Sequence, residues 1–249
     1  MRYQAEKEQF DRDGFVVVRQ LLSPEPFSQL QQNLERYQRE VVPNLSDADA
    51  FYVDKSRPST LKQLQHMGGD SFFREYPAHA AWSELAAALI GEPALGDEPE
   101  WFNKPPAQES PTPPHQDNYY FCLTPPRVAT LWMALDAIDD ENGCLRYVRG
   151  SHREGVRPHQ RSSVLGFSQT ISDMGPADYA NEVAIHLQPG DVVAHHGNTI
   201  HRAEANRSAT RNRRAFAIVY RGQSCRRDEA AYEKYSSALK RQHAALGLT

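Results

Sequence analysis

Apolar positions along this chain follow two different periods. Near the N-terminus the spacing is helical. Ser23-Pro24-Glu25 reads as a helix start, with Ser at the cap, Pro in the first turn and an acid early. Phe27, Leu30, Leu34, Tyr37 and Val41 then recur on one face, a packing stripe. The spacing predicts a second helix over about Ala78–Ile90, stopped by Gly91. It predicts another from Asp228 to about Leu246, with Tyr232, Tyr235 and Leu239 on one face. Phe15–Val18, after Asp13-Gly14, is a short strand.

The middle of the chain reads as strands cut by turn signals. Trp101–Lys104 ends at Pro105-Pro106, and Pro113-Pro114 introduces a strand from His115 to Cys122. Pro125-Pro126 precedes Val128–Ile138, and Asn142-Gly143 precedes Cys144–Val148. Pro189-Gly190-Asp191 leads into Val192–His196, and Arg213–Arg221 is the last strand. Short strands at close spacing predict a barrel or a double-sheet jelly roll, mainly β with flanking helices. Residues 151–182 show no period and read as a long loop, a length typical of lids and binding loops.

Composition narrows the class. The chain of 249 residues has no apolar run long enough to span a membrane, and Met1 to Phe10 is too polar for a secretory signal. Cys122, Cys144 and Cys225 have no paired spacing, which suits a reducing cytoplasm and excludes a disulfide framework. Charge is uneven: residues 201–249 hold 11 Lys and Arg against 4 Asp and Glu. The arginines lie on strands and turns with no interleaved aromatic groove, so internal ion pairs are expected, and not nucleic-acid binding.

His115-Gln116-Asp117 carries the chemistry. On a strand, residues two apart share a face about 6.6 Å apart, which would aim an imidazole and a carboxylate the same way. A distal histidine, from His195, His196 or His201, can complete three ligands on one side of a metal. Two His and one carboxylate with the far side open is the ligand set of non-heme Fe(II) oxygenases. A following Arg can clamp a dicarboxylate co-substrate, since a guanidinium fork stays charged and matches a carboxylate at two points. Strand alternation puts Arg213 beside Ala215, Ala217 and Val219, and Arg214 beside Phe216, Ile218 and Tyr220. A cavity needs the small neighbours, so Arg213 is favoured.

These pieces, in this order, resemble the phytanoyl-CoA dioxygenase family of Fe(II)/2-oxoglutarate oxygenases. The likeness covers nearly the whole chain. Asp11 to Val18, then Leu21-Leu22-Ser23, resembles the family's N-terminal entry. Phe102-Asn103-Lys104-Pro105-Pro106 resembles the strand before the iron motif, and His115-Gln116-Asp117 the motif itself. Asn142-Gly143-Cys144-Leu145 with Gly150-Ser151-His152 matches the middle hairpin. Gly190-Asp191, His196-Gly197, Ile200-His201 and Asn206-Arg207-Ser208 match the distal block.

The resemblance implies a double-stranded β-helix of cupin-like kind in one domain, 1–249. Helical elements would fill about 1–95, the jelly-roll core about 96–222 and a C-terminal helix about 228–246. It implies Fe(II), 2-oxoglutarate and O2, and C–H hydroxylation with release of succinate and CO2. It places the metal on His115, Asp117 and His201, the last lying five residues after His196-Gly197. His196 is then left to packing or to support of the ligands, and His152 to its turn. The resemblance puts Arg213 on the far carboxylate of 2-oxoglutarate. Trp132 and Lys62 match family positions at the co-substrate; a core Trp and a solvated Lys are the plain alternatives. Ala203 stands where some members carry a co-substrate-bonding Ser. Tyr119 and Tyr120 either face substrate or pack. Related halogenases lack the carboxylate, so Asp117 favours hydroxylation or desaturation. The implied substrate is a small molecule, and Lys55, Arg57 and the basic tail lean toward one with an anionic group. The rivals are a same-fold oxygenase that desaturates, epimerises or cleaves, and a jelly-roll binding protein with no catalysis.

Overall fold

The computed structural model describes residues 2–107, 110–162 and 169–246, with side chains as far as Ala238 and at Lys240. Eight antiparallel strands make a large sheet. Its order is Phe15–Val18, Val192–His196, Val128–Ala134, Arg213–Gly222, Glu100–Lys104, Leu61–Leu64 and Ala50–Tyr52, with Ala94–Gly96 beside the far end of Arg213–Gly222. Four antiparallel strands, Glu182–Ile185, Leu145–Val148, His201–Ala203 and Thr112–His115, make a small sheet. The two form a jelly roll.

Alternation along the strands sorts the side chains onto two faces of the large sheet. Outward go Val16, Val18, Leu131, Met133, Val192, Ala194, Phe216, Ile218 and Tyr220, which join one core with Leu30, Leu34, Trp82, Leu85 and Leu89 of the helices. The helices are Pro24–Glu40 and Ala80–Ile90, the second ended by Gly91 at φ 84°. Trp82 meets Phe216 edge-on, with ring centroids 5.6 Å apart. Burying each such side chain stabilises by roughly 1.5–3 kcal/mol. Inward go Phe15, Trp132, Ala134, Val193, Ala215 and Ala217, which meet Leu145, Tyr147, Ile185 and Ala203 of the small sheet in a second core. Ser23 does sit at the helix start, but its side chain makes no capping bond.

Three expectations need correction. The strand after Pro113-Pro114 stops at His115. Asp117 has helical backbone angles, φ −59° and ψ −39°, and Asn118–Phe121 form one helical turn. The Asn118 side chain closes that turn, donating to the Leu123 carbonyl at 3.1 Å and accepting from its N–H at 3.0 Å.

Residues 151–182 are also more ordered than a loop. They hold a tight turn Ser151–Glu154, a hairpin of His159–Arg161 with Gln169–Ile171, and a helix Pro176–Ala180. Gln160 and Arg161 are exposed, so no apolar period marks the hairpin. Residues 163–168 of that stretch lie outside the described residues.

The last helix, Glu229–Leu246, does not bury Tyr232, which is 41% exposed with Arg227 over its ring. Tyr235 is the residue that packs inward, against Tyr119 and Tyr120. The Leu239 side chain lies outside the described residues.

Candidate metal and co-substrate site

His115 ends one strand of the small sheet and His201 begins its neighbour; the two residues are paired in register. That pairing brings together imidazoles 86 positions apart in the chain. Asp117, on the turn that follows, swings its carboxylate between them. Its Oδ1 lies 3.7 Å from His115 Nε2 and 3.6 Å from His201 Nε2. The donor atoms of all three lie within 4.8 Å of one another.

Backbone carbonyls set both rings. His115 Nδ1 lies 2.8 Å from the Pro113 carbonyl, and His201 Nδ1 3.0 Å from the Thr199 carbonyl. Carbonyls only accept, so each Nδ1 carries the proton and each Nε2 lone pair points at the common centre. Burial holds both imidazoles below their ordinary titration range, hence neutral. Burial alone would raise the Asp117 carboxyl, but His201, His195 and His115 together pull it below the usual range. Neutral imidazoles with an ionised carboxylate are the states a divalent metal requires.

The second carboxylate oxygen is already engaged. Asp117 Oδ2 accepts from Thr130 Oγ1 at 2.7 Å and contacts His195 Nε2 at 3.0 Å. His195 Nδ1 in turn lies 2.9 Å from the Tyr147 hydroxyl. Thr130 and His195 face each other across paired strands of the large sheet. They leave Oδ1 alone to face the histidines. The donor set therefore fits one metal ion: two Nε2 lone pairs and one carboxylate oxygen with its orientation locked.

Next on the inner face comes a group of cations. Arg213 and Lys104 are opposed on paired strands, and both are buried. The Arg213 guanidinium lies 5.3 Å over the Trp132 ring, and its Nε has no hydrogen-bond partner. Among the described residues no carboxylate forms an ion pair with it. Burial lowers Arg213 to about 10, and burial together with repulsion from Arg213 and Lys62 lowers Lys104 to about 6. Lys62, half-buried on Leu61–Leu64, is also lowered by burial. Lys104 Nζ donates to the Ser110 carbonyl at 2.9 Å. A buried guanidinium with an orphaned N–H, flanked by Ala215 and Ala217, fits the carboxylate of a dicarboxylic acid.

The other anticipated residues fall as follows. Arg214 faces outward and is held bidentately by Asp136. His196 also faces outward; its Nδ1 accepts from the Asn198 N–H, and its ring lies near Phe10 and His152. It packs, and the adjacent His195 makes the contact with the triad. Tyr120 approaches His115 edge-on at 6.2 Å and donates to the Gln169 carbonyl, while Tyr119 stacks on His159 at 4.0 Å. Ala203 is fully buried in the inner core.

Thr130 and Tyr147 were not singled out by motif, His195 was named only as a candidate distal ligand, and Lys104 only as part of the strand before the iron motif. Strand pairing is what shows their places beside the site. Gln116, the middle residue of the motif, is fully buried and ties it to its neighbours. Its amide donates to the Gly155 and Asn198 carbonyls, and its carbonyl accepts from the Arg157 N–H. A second grouping, Asp140, Cys144 and His186, is a poorer metal site. Asp140 is spent on Arg146 and His186, and burial pushes the Cys144 thiol up to about 11.

Fold and cluster together define a class: a double-stranded β-helix with a candidate two-histidine, one-carboxylate centre beside a buried arginine. The model of the phytanoyl-CoA dioxygenase family matches residues 10–215, and the chain belongs to that family. Peroxisomal phytanoyl-CoA dioxygenase of Bos taurus is 28% identical over 212 residues, 80% of this chain and 63% of the bovine protein. The chain thus spans less than two thirds of that relative. EvdO2 of Micromonospora carbonacea var. aurantiaca, crystallised with 2-oxoglutarate, is 27% identical with a TM-score of 0.67, covering 87% of this chain and 89% of EvdO2. The epimerase SnoN, solved with Fe3+, α-ketoglutarate and nogalamycin RO, shares the fold at TM-score 0.72 and 21% identity, over 90% of this chain and 85% of SnoN.

Proposed function

We propose that this chain is an Fe(II)/2-oxoglutarate-dependent dioxygenase that hydroxylates a C–H bond of a small-molecule metabolite, releasing succinate and CO2. One observation carries the reading: three donor atoms converge beside a buried guanidinium with which, among the described residues, no carboxylate forms an ion pair. When bound, the iron with 2-oxoglutarate and O2 supplies the oxidising chemistry.

The chain's own residues supply placement. His115 and His201 hold the metal through Nε2, with their rings fixed by the Pro113 and Thr199 carbonyls. Asp117 binds through Oδ1 while Thr130 and His195 hold Oδ2. Arg213 takes the far carboxylate of 2-oxoglutarate, Trp132 walls that pocket, and Lys62 and Lys104 bring two further amines to it. Tyr119 and Tyr120 form the substrate wall next to His115. Helices over the outer face and the jelly roll act as one domain. Three free cysteines suit the cytoplasm, and no described helix is long and apolar enough to cross a membrane.

SnoN keeps a second reading open, since an epimerase on the same fold ends with a different outcome. Desaturation and oxidative cleavage belong to the same alternative. A binding protein without catalysis would have to maintain a buried triad and an unpaired buried guanidinium to no purpose, at a cost of several kcal/mol. Lys55 and Arg57, which pointed to an anionic substrate, are held by Asp47 and Asp54. Much of the basic tail is paired too, Arg202 with Glu182, Arg211 with Asp139 and Arg221 with Asp97.

Anaerobic titration with Fe(II) and 2-oxoglutarate tests the reading. One iron per chain and a metal-to-ligand charge-transfer band are expected, both lost in His201→Ala with the fold intact by circular dichroism. An absent band in the wild type, or full turnover in His201→Ala, would overturn it.

A further inference from the structure

The proposed chemistry leaves one buried group on the inner face unused. Glu100 lies opposite Ala217, which in turn lies opposite Trp132, so the three form one row across the sheet. The adjacent row along the strands holds Thr130, the residue that grips Asp117. Ala217 puts only a methyl group between Glu100 and Trp132, and Glu100 is close enough to Asp117 to feel its charge. Glu100 is half-buried.

Its partners are neutral. The Gln63 amide donates to Oε2 at 3.0 Å, and the Gln65 side chain offers a second amide. Among the described residues no Lys, Arg or His forms an ion pair with it. Lys104 shares its strand face but donates to the Ser110 carbonyl. Burial raises the carboxyl above its ordinary range, Gln63 offsets part of this, and the Asp117 charge adds to it. A carboxyl in this setting gains most from a cation that arrives with a ligand, because a buried charge is costly until it is paired.

We propose that Glu100 is a specificity-determining residue that binds a protonated amino group of the substrate, with Gln63 fixing one oxygen of its carboxylate. The inference rests on the dioxygenase reading above and deepens it. Arg213 serves the co-substrate, and Glu100 serves the substrate. The amine docks on the carboxylate through charge-assisted N–H···O bonds, and the rest of the molecule extends over Ala217 toward the iron position.

The test uses the full chain loaded with Fe(II) and 2-oxoglutarate. Probes are free L-amino acids, polyamines and amino sugars, each beside its N-acetyl counterpart, scored by succinate release above the substrate-free rate. Free amines should stimulate and their N-acetyl forms should not. For a stimulating amine, Glu100→Gln should lower kcat/KM by about thirtyfold or more, the loss typical of removing one charge from a buried charge pair. Glu100→Gln should leave 2-oxoglutarate affinity within about twofold, because the co-substrate is held elsewhere. The proposal fails if the stimulating probes lack an amine, or if every amine is silent while the Fe(II)–2-oxoglutarate band forms. It also fails if Glu100→Gln turns over the amine as the wild type does. A missing band would instead remove the dioxygenase reading itself, so the two failures are distinct.

Discussion

On the strand Arg213–Gly222, alternate residues serve two different purposes. Arg214, Phe216, Ile218 and Tyr220 face the helices; Arg213, Ala215 and Ala217 face the small sheet. Toward the helices the side chains are large, and the charged one is answered within the fold, Arg214 by Asp136. Toward the small sheet stand two alanines, and among the described residues no carboxylate pairs with the charged group, whose Nε lacks a hydrogen-bond partner. The same division runs through Val192–His196, where His195 reaches Asp117 and His196 packs beside Phe10. Stability is concentrated on the face that is filled, and chemistry on the face that is left open.

The two adjacent arginines give the sharpest test of that division. Arg213→Ala should weaken 2-oxoglutarate binding by about a hundredfold or more, since a buried carboxylate left unpaired costs on the order of 3–5 kcal/mol. Arg214→Ala removes a half-exposed pair with Asp136, so it should lower stability by roughly 1 kcal/mol at most and leave co-substrate affinity alone. Titrating 2-oxoglutarate against each variant, and unfolding each in urea, separates the effects. Equal losses of affinity in the two variants would break the comparison.

How much of this could be read from the chain depends on which interactions set each feature. Phe27, Leu30, Leu34 and Tyr37 show a local period, and the helix they predict is there, at Pro24–Glu40. The alternation from Arg213 to Tyr220 is equally local, and it sorted the two arginines onto opposite faces correctly. The His115-x-Asp117 spacing was legible, but its geometry was not a strand's. The turn at Asn118 depends on side-chain bonds to Leu123, and no period in the sequence reports those. Thr130 and His195 are 65 residues apart and become partners only through strand register. Lys104 closes the predicted strand with no role of its own and Glu100 lies just before it, until pairing sets them beside Arg213 and Ala217.

The two adjacent histidines sharpen the comparison at smaller scale. His195→Ala takes one partner from Asp117 Oδ2 and frees the carboxylate to rotate. Loss of such a supporting contact typically weakens metal binding about ten- to hundredfold. His196→Ala leaves the triad untouched and should only loosen packing around Phe10. Anaerobic Fe(II) titration of both variants is the measurement, and unchanged iron affinity in His195→Ala would remove that residue from the site.

The last comparison concerns Lys104, and it tests whether the inner face is costly when empty. Its ammonium is held down to about 6 by burial, with Arg213 and Lys62 adding repulsion, against about 10.4 for an exposed lysine. Between those two values the unfolded chain binds a proton that the folded chain does not. Stability therefore rises with pH from about 6 toward 10, and is lost as pH falls through that window. Lys104→Met cannot take up the proton, so its stability should change less over the same window. Metal-free protein unfolded in urea at a series of pH values reads the two slopes. Saturating Fe(II) and 2-oxoglutarate, added anaerobically, should then flatten the wild-type slope, because a carboxylate held at Arg213 favours the charged form of the neighbouring Lys104. Parallel slopes in wild type and Lys104→Met would show that this lysine is not strained in the empty site, and that the positive charge of the inner face is tolerated without a ligand.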